Sequence, residues 1–395
     1  MIRNISHKLQ YRAILSIHME ENDDNIPRES PQFLILPLVQ PGQDDSIDTN
    51  KIRELTALGL DYAQPEDRCL AWLVLLGIYP KNAKQWPETL QELVTLYQTY
   101  VDVCNIGDWL TKRFEAHITD IEVFGVGDNA MMALIHGDIV RTGRHIYLLP
   151  CTDDDGSSSG SVNLYAGHLR RLERILYILG NINKNMSYMQ GFNELAVPFY
   201  YVTHSAKSLF EDDFVAEAVS FHMLHQLVSS TEMKDLFTTD DRSSILLGKL
   251  DGFNTILEKH VPQAFKIITE YKIPCVCYCY RWFSLMFSQE YTLPELLQIW
   301  DSLFTQFENI VDYEFYVGAA QIDMVMDDLV GKDYPETLEI LQNIKIRNIY
   351  QLLSKANQWW RKDHDPTLIE AVASTVSNAV KGFMSKLNQL KDLKK

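Results

Sequence analysis

The sequence has little cysteine, no long apolar run and a shortage of basic residues, and each absence narrows its reading. Six cysteines among 395 residues are too few to act as the disulfide framework of a chain this long. Three of them alternate in Pro274-Cys275-Val276-Cys277-Tyr278-Cys279. No second Cys/His cluster follows at zinc-ligand spacing, so reduced, buried thiols are expected and not a metal centre. The longest apolar run, Leu70 to Ile78, is too short to cross a bilayer. The opening Met1-Ile2-Arg3-Asn4 leads into no compact apolar stretch with a small-residue cleavage site, so a cytoplasmic protein is expected. Lysine and arginine total 36 against 53 acidic residues, a formal net charge of −17. That balance opposes generic binding to nucleic acid or to anionic membranes.

Other signatures are missing too. No segment alternates apolar and polar residues between hairpin turns, so a sheet is not expected. There is no glycine-serine nucleophile elbow. Gly125-Val126-Gly127-Asp128 lacks the Walker lysine and a preceding strand, and so is not read as a nucleotide loop. His222 and His225 could share a helix face, but no third ligand follows at regular spacing.

What is present is a helical pattern in a chain of 46% hydrophobic residues, enough for a large packed core. Residues 1–50 read as an irregular N-terminal extension, with prolines at 27, 31, 37 and 41 arguing against a long helix. Helical punctuation begins after that. Pro65, Glu66 and Asp67 open a segment that Gly77 closes, as a missing donor and negative charge suit a helix start and glycine its end. A second proline-led helix follows Pro87, with Leu90, Leu93, Val94 and Tyr97 on one face. Leu169, Leu172, Leu176 and Leu179 form another stripe. Thr292 and Glu295 have capping-box spacing ahead of Leu296, Leu297, Trp300, Leu303 and Phe304, and Pro335 starts one more helix. The segment 152–161, rich in Asp, Gly and Ser, reads as a solvated mobile loop. Residues 363–395 read as a terminal amphipathic helix, with Ile369, Val372, Val376, Val380, Phe383, Leu387 and Leu390 three or four apart.

Three short patterns carry the functional signal. Arg68-x-x-x-Trp72 puts a cation and an indole one turn apart, suited to a cation–π contact or to an arginine buried against an acid. Ile135-x-x-Asp138-x-x-Arg141 spaces an acid to pair with an arginine and fix its planar guanidinium. Tyr188-x-Gln190-Gly191-Phe192-Asn193 reads as a turn entering a helix, where Gly191 permits close backbone approach and Tyr188 braces the turn. An arginine and a glutamine are the side chains GTP hydrolysis needs supplied: one for charge on the γ-phosphate, one to orient water.

In order, type and context these patterns resemble the TBC-domain family, the activators of Rab GTPases. The resemblance spans roughly residues 51–355, including Tyr280-Arg281-Trp282 and the Ile299-Trp300-Asp301 region. It implies an all-α, two-lobed helical Rab-GAP domain that is an activator, not itself an enzyme. Arg141 would be the arginine finger and Gln190 the glutamine finger, supported by Asp138, Tyr188, Gly191, Asn193 and Ile135. Arg68 and Trp72 would support the fold. The resemblance further implies a GTP-bound Rab-family partner that brings the GTP and Mg²⁺, no cofactor of the chain's own, and a role in vesicle traffic. Peripheral association with endomembranes would run through the partner or the C-terminal helix. Two other readings of the same residues are a catalytically silent Rab-binding scaffold or effector, and a helical interaction platform whose arginine and glutamine are structural.

Overall fold

A computed structural model describes residue 35 and residues 46–364, apart from 62, 116, 143–147, 151–164, 183–186 and 231–241. The expected 152–161 loop lies outside the described residues, as do nearly all of the N-terminal extension and residues 365–395 of the expected terminal helix; Asp363 and His364, expected at its start, instead end the helix Ile349–His364. The fold is all-α, with no strand among the described residues and one isolated bridge between Ser46 and Asn82.

Numbering each helix of eight or more residues, the chain runs α1 (Thr49–Thr56), α2 (Pro65–Leu75), α3 (Trp86–Val103), α4 (Asn129–Arg141), α5 (Ala166–Ile182), α6 (Phe192–Ser205) and α7 (Asp213–Ser230). It continues through α8 (Arg242–His260), α9 (Pro262–Glu270), α10 (Leu293–Phe304), α11 (Ile310–Met324), α12 (Tyr334–Gln342) and α13 (Ile349–His364).

Local chemistry sets many of these boundaries. Pro65 sits in the first turn of α2, where no donor is lost, and Gly77 follows its end at φ +72°, a conformation that favours glycine. Complete capping boxes, Thr292 with Glu295 and Asp333 with Glu336, start α10 and α12 by satisfying backbone donors at each N-terminus. Pro198 does not end α6, which continues through it to Ser205.

The helices fall into two packed groups. In the first, α3, α5 and α6 pack on α7, and α4 lies on α5 and α6. The α5–α7 contact encloses a buried ion pair. Arg174 donates to both oxygens of Glu217 at 2.7 Å, and Tyr97 donates to the same carboxylate at 2.6 Å. Such a pair gives orientation more than net stability. In the second group, α8 and α13 flank α11, with α9 on α8 and α10 beneath α13. At its last turn α13 is clamped by Asp363, which accepts from Lys259 at 2.8 Å, His260 at 2.7 Å and Tyr316 at 2.9 Å.

Helix α2 joins the groups by packing on both α6 and α10. The joint is aromatic: the Trp72 ring lies 4.9 Å from Phe304 and 5.7 Å from Phe199, and Phe199 lies 5.1 Å from Trp300. Arg68 realises the second of its two expected arrangements. It is held by a buried acid, Asp301, at 3.0 Å. Asp301 also accepts from the Trp72 indole at 2.7 Å and the Leu60 amide at 2.8 Å. Near the chain start, the buried Ile35 donates its amide to Asp67 of α2 at 2.9 Å.

Candidate functional site

Helix α4 is held by its inner face. Asp128 caps it through the Met131 amide at 2.8 Å, and Met131, Met132, Ile135 and Ile139 are buried. His136 anchors it to α5 through Nδ1 and Glu173 at 2.6 Å; Glu173 also accepts from Arg170 at 2.8 Å and Trp109 at 3.1 Å. Arg141 is the last residue of this fixed helix, where a cation suits the negative end of the helix dipole. Its side chain is 69% exposed, while that of its partner Asp138 is 7% exposed. Nη2 of Arg141 donates to Asp138 Oδ1, and the Tyr188 hydroxyl donates to Oδ2 at 2.7 Å. Burial, reinforced by the bond to Asp138, pushes the Tyr188 hydroxyl well above the ordinary tyrosine range. It therefore stays a proton donor near neutral pH.

Gln190 is exposed on the turn that enters α6. Gly191 follows at φ +106°, and a Cβ there would lie 2.7 Å from Leu285 Cδ2. The backbone conformation favours glycine, and any side chain there would also have to push the Leu285 methyl aside. Asn193, buried in the first turn of α6, accepts from the Gly191 amide at 3.2 Å and donates to Thr142 at 2.9 Å.

Arg141 and Gln190 line one open groove of about 690 Å³. Asp138, Tyr188, Gly191 and Asn193 line it as well, so six of the residues singled out by sequence come together. Three do not. Ile135 is buried one turn earlier in the core, and Arg68 and Trp72 sit at the Asp301 joint. The groove also has a wall that sequence reasoning missed, Leu285 and Gln289. It comes from the second helix group, where Met286 and Phe287 take φ of +48° and +62° and both are buried. Consecutive left-handed non-glycine residues store strain that the surroundings must hold. Here the Trp300 indole donates to the Met286 carbonyl at 2.9 Å, and the Phe287 amide to the Trp282 carbonyl at 2.7 Å. Thr142, directly after Arg141, was missed too, and a hydroxyl residue closing a helix was the available signal.

The signals set aside on sequence are structural here. Gly125 ends a short 3₁₀ turn at φ +58°. His222 is 2.8 Å from the Leu93 carbonyl, and His225 stacks on Phe221. Cys275 and Cys279 are buried as expected, but Cys277 is exposed, because the 3₁₀ turn Cys275–Cys277 breaks the alternation that would have turned all three inward.

Residues 132–330, which hold the groove, match the Rab-GTPase-TBC domain family. The human TBC1 domain family member 13 is 30% identical over 80% of this chain and 95% of its own length. The GTPase-activating protein gyp1 of Schizosaccharomyces pombe is 23% identical over 79% of this chain and 58% of its own. In fold, the crystal structure of the Ypt/Rab-GAP domain of Gyp1p aligns with a TM-score of 0.59 at 19% identity, covering 82% of this chain and 97% of that one. With its all-α fold and a family match across half its length, the chain belongs to the TBC-domain family.

Proposed function

We propose that this protein accelerates GTP hydrolysis by a Rab-family small GTPase in its GTP-bound state, supplying Arg141 and Gln190 in trans. The observation that carries the reading is that two exposed side chains of the required types line one groove on braced backbones. GTP and Mg²⁺ come with the partner. Arg141, turned from Asp138, would place its guanidinium against charge developing on the γ-phosphate, and Gln190 would orient the attacking water. Tyr188 keeps Asp138 hydrogen-bonded while Arg141 is engaged. The chain itself transfers no group and needs no cofactor.

The names of the relatives favour this reading, since gyp1 and the GYP7 protein of Candida glabrata are called GTPase-activating proteins. A cytoplasmic protein acting in vesicle traffic, brought to endomembranes by its GTPase or by the C-terminal segment, follows from the same proposal.

The test is GTP hydrolysis by a broad Rab panel with wild-type protein, Arg141→Ala and Gln190→Ala. In Ras and Gα an arginine finger contributes about 10³ to 10⁵ in rate, or roughly 4 to 7 kcal/mol of barrier. A loss of that order in the Arg141 variant is expected on one or a few GTPases. Panel-wide silence of the wild type would refute the proposal. So would full activity of Arg141→Ala.

A further inference from the structure

The segments that carry Arg141 and Gln190 are tied together twice, and one tie touches neither side chain. Thr142 follows Arg141 and is 1% exposed; Asn193, three residues after Gln190, is 5% exposed. The Thr142 hydroxyl lies 2.8 Å from the Asp138 carbonyl, which has no proton to give, so Thr142 donates there. Its oxygen is left as acceptor for Asn193 Nδ2 at 2.9 Å. That turns Asn193 Oδ1 toward the Gly191 amide at 3.2 Å. Each bond fixes the direction of the next, and burial removes water as a competitor.

We propose that Thr142 and Asn193 form a positioning cross-link that sets the spacing between the Arg141 and Gln190 backbones. This rests on the reading of those two residues as fingers. The second tie, from Tyr188 to Asp138, ends on the carboxylate that also holds the Arg141 guanidinium. Its charge environment changes when Arg141 turns toward a phosphate. The Thr142–Asn193 tie ends on a carbonyl and an amide, so it persists through that movement. It keeps Arg141 and Gln190 in register at the moment both are needed, and a misplacement of about 1 Å can lower a rate by about 10²-fold.

The experiment compares Thr142→Val, Thr142→Ser, Asn193→Ala and the Thr142→Val/Asn193→Ala double variant on the GTPase that wild type accelerates most. Thr142→Val and Asn193→Ala are expected to lower kcat by about 10- to 100-fold, with KM within about twofold. Thr142→Ser, which keeps the hydroxyl, restores most of kcat, and the double variant is no worse than the worse single. Wild-type kcat in Thr142→Val or Asn193→Ala would overturn the proposal, as would a Thr142→Ser defect equal to that of Thr142→Val. A second readout needs no GTPase. Met189 precedes Gln190 and lines the groove, so its ¹³C-methyl NMR signal, assigned with Met189→Leu, reports the loop. Thr142→Val and Asn193→Ala should shift or broaden that signal, and Thr142→Ser should not. If wild type proves inert on every GTPase, the finger reading fails and this signal still decides the cross-link: movement supports it and an unchanged spectrum overturns it.

Discussion

Replacing Gly191 with alanine separates two physical demands made at one backbone position. Gly191 has φ +106°, and an added Cβ would lie 2.7 Å from Leu285 Cδ2, well inside van der Waals contact. An L-residue held in left-handed backbone costs about 1–2 kcal/mol. The contact falls on the end of a half-buried side chain at the open groove, so relieving it by a shifted Leu285 rotamer adds about 0.5–1.5 kcal/mol. Gly191→Ala should therefore lose roughly 1.5–3.5 kcal/mol in total. Leu285→Ala empties the contested space but leaves the φ demand. In that background the same Gly191 change should cost only about 1–2 kcal/mol, a coupling of about 0.5–1.5 kcal/mol between the sites. Urea unfolding of the four proteins measures this directly, provided the m-values agree. A coupling below about 0.3 kcal/mol, the scatter of independent sites, would refute the close approach. A total loss below about 0.5 kcal/mol would refute the backbone demand as well.

Asp301→Ala leaves the half-buried Arg68, the Trp72 indole and the Leu60 amide without their shared carboxylate, and should cost about 3–5 kcal/mol in urea unfolding. A loss below about 1 kcal/mol would mean that the joint does not depend on it. Tyr188→Phe removes one donor from the buried Asp138 and should cost about 1–3 kcal/mol while lowering GTPase activation less than Arg141→Ala. Burial lowers the His204 and His222 imidazoles to about 3 and about 4. Both stay neutral in the fold while the unfolded chain protonates near 6.5, so stability should fall as pH drops below about 6.5. Thermal melts at stepped pH should show that slope, and His222→Gln should reduce it. Burial raises the Asp363 carboxyl, but bonds from Lys259, His260 and Tyr316 outweigh it and leave the group below its ordinary range. Its contribution is present above the unfolded aspartate pKa and is lost as pH falls through the folded one. Asp363→Asn should flatten the lower acid end of the same melts.

The parts of this site legible in the sequence are those whose partners lie within a few residues. Asp138 and Arg141 meet because a helix brings positions three apart onto one face. Gly191 announces a tight turn because few other residues tolerate its backbone. The capping boxes of α10 and α12 are local for the same reason. The Leu285 and Gln289 wall was not legible: it lies about a hundred residues from the glutamine turn, and its strained backbone carries no glycine to mark it. Arg68 called for an acid, but the acid is 233 positions away, where only the packing of α2 on α10 delivers it. The Cys275–Cys279 segment misled because alternation implies a common inward face only if the backbone stays extended, and here it turns.

An ion pair whose arginine stands in solvent, as in Arg141–Asp138, contributes little on its own, so the position of that arginine must come from what lies beneath it. That layer is buried and polar: Asp138, Tyr188, Thr142 and Asn193 satisfy one another at the groove floor. The opposite wall depends on the distant joint. Arg68 and Trp72 hold Asp301, the preceding residue Trp300 holds the Met286 carbonyl, and Leu285, one residue before Met286, packs over Gly191. The first sequence pattern, architectural by itself, is thus connected through α10 to the turn that presents Gln190. A lesion at Asp301 should therefore loosen the glutamine side of the groove more than the arginine side, which α4 anchors independently through His136 and Glu173.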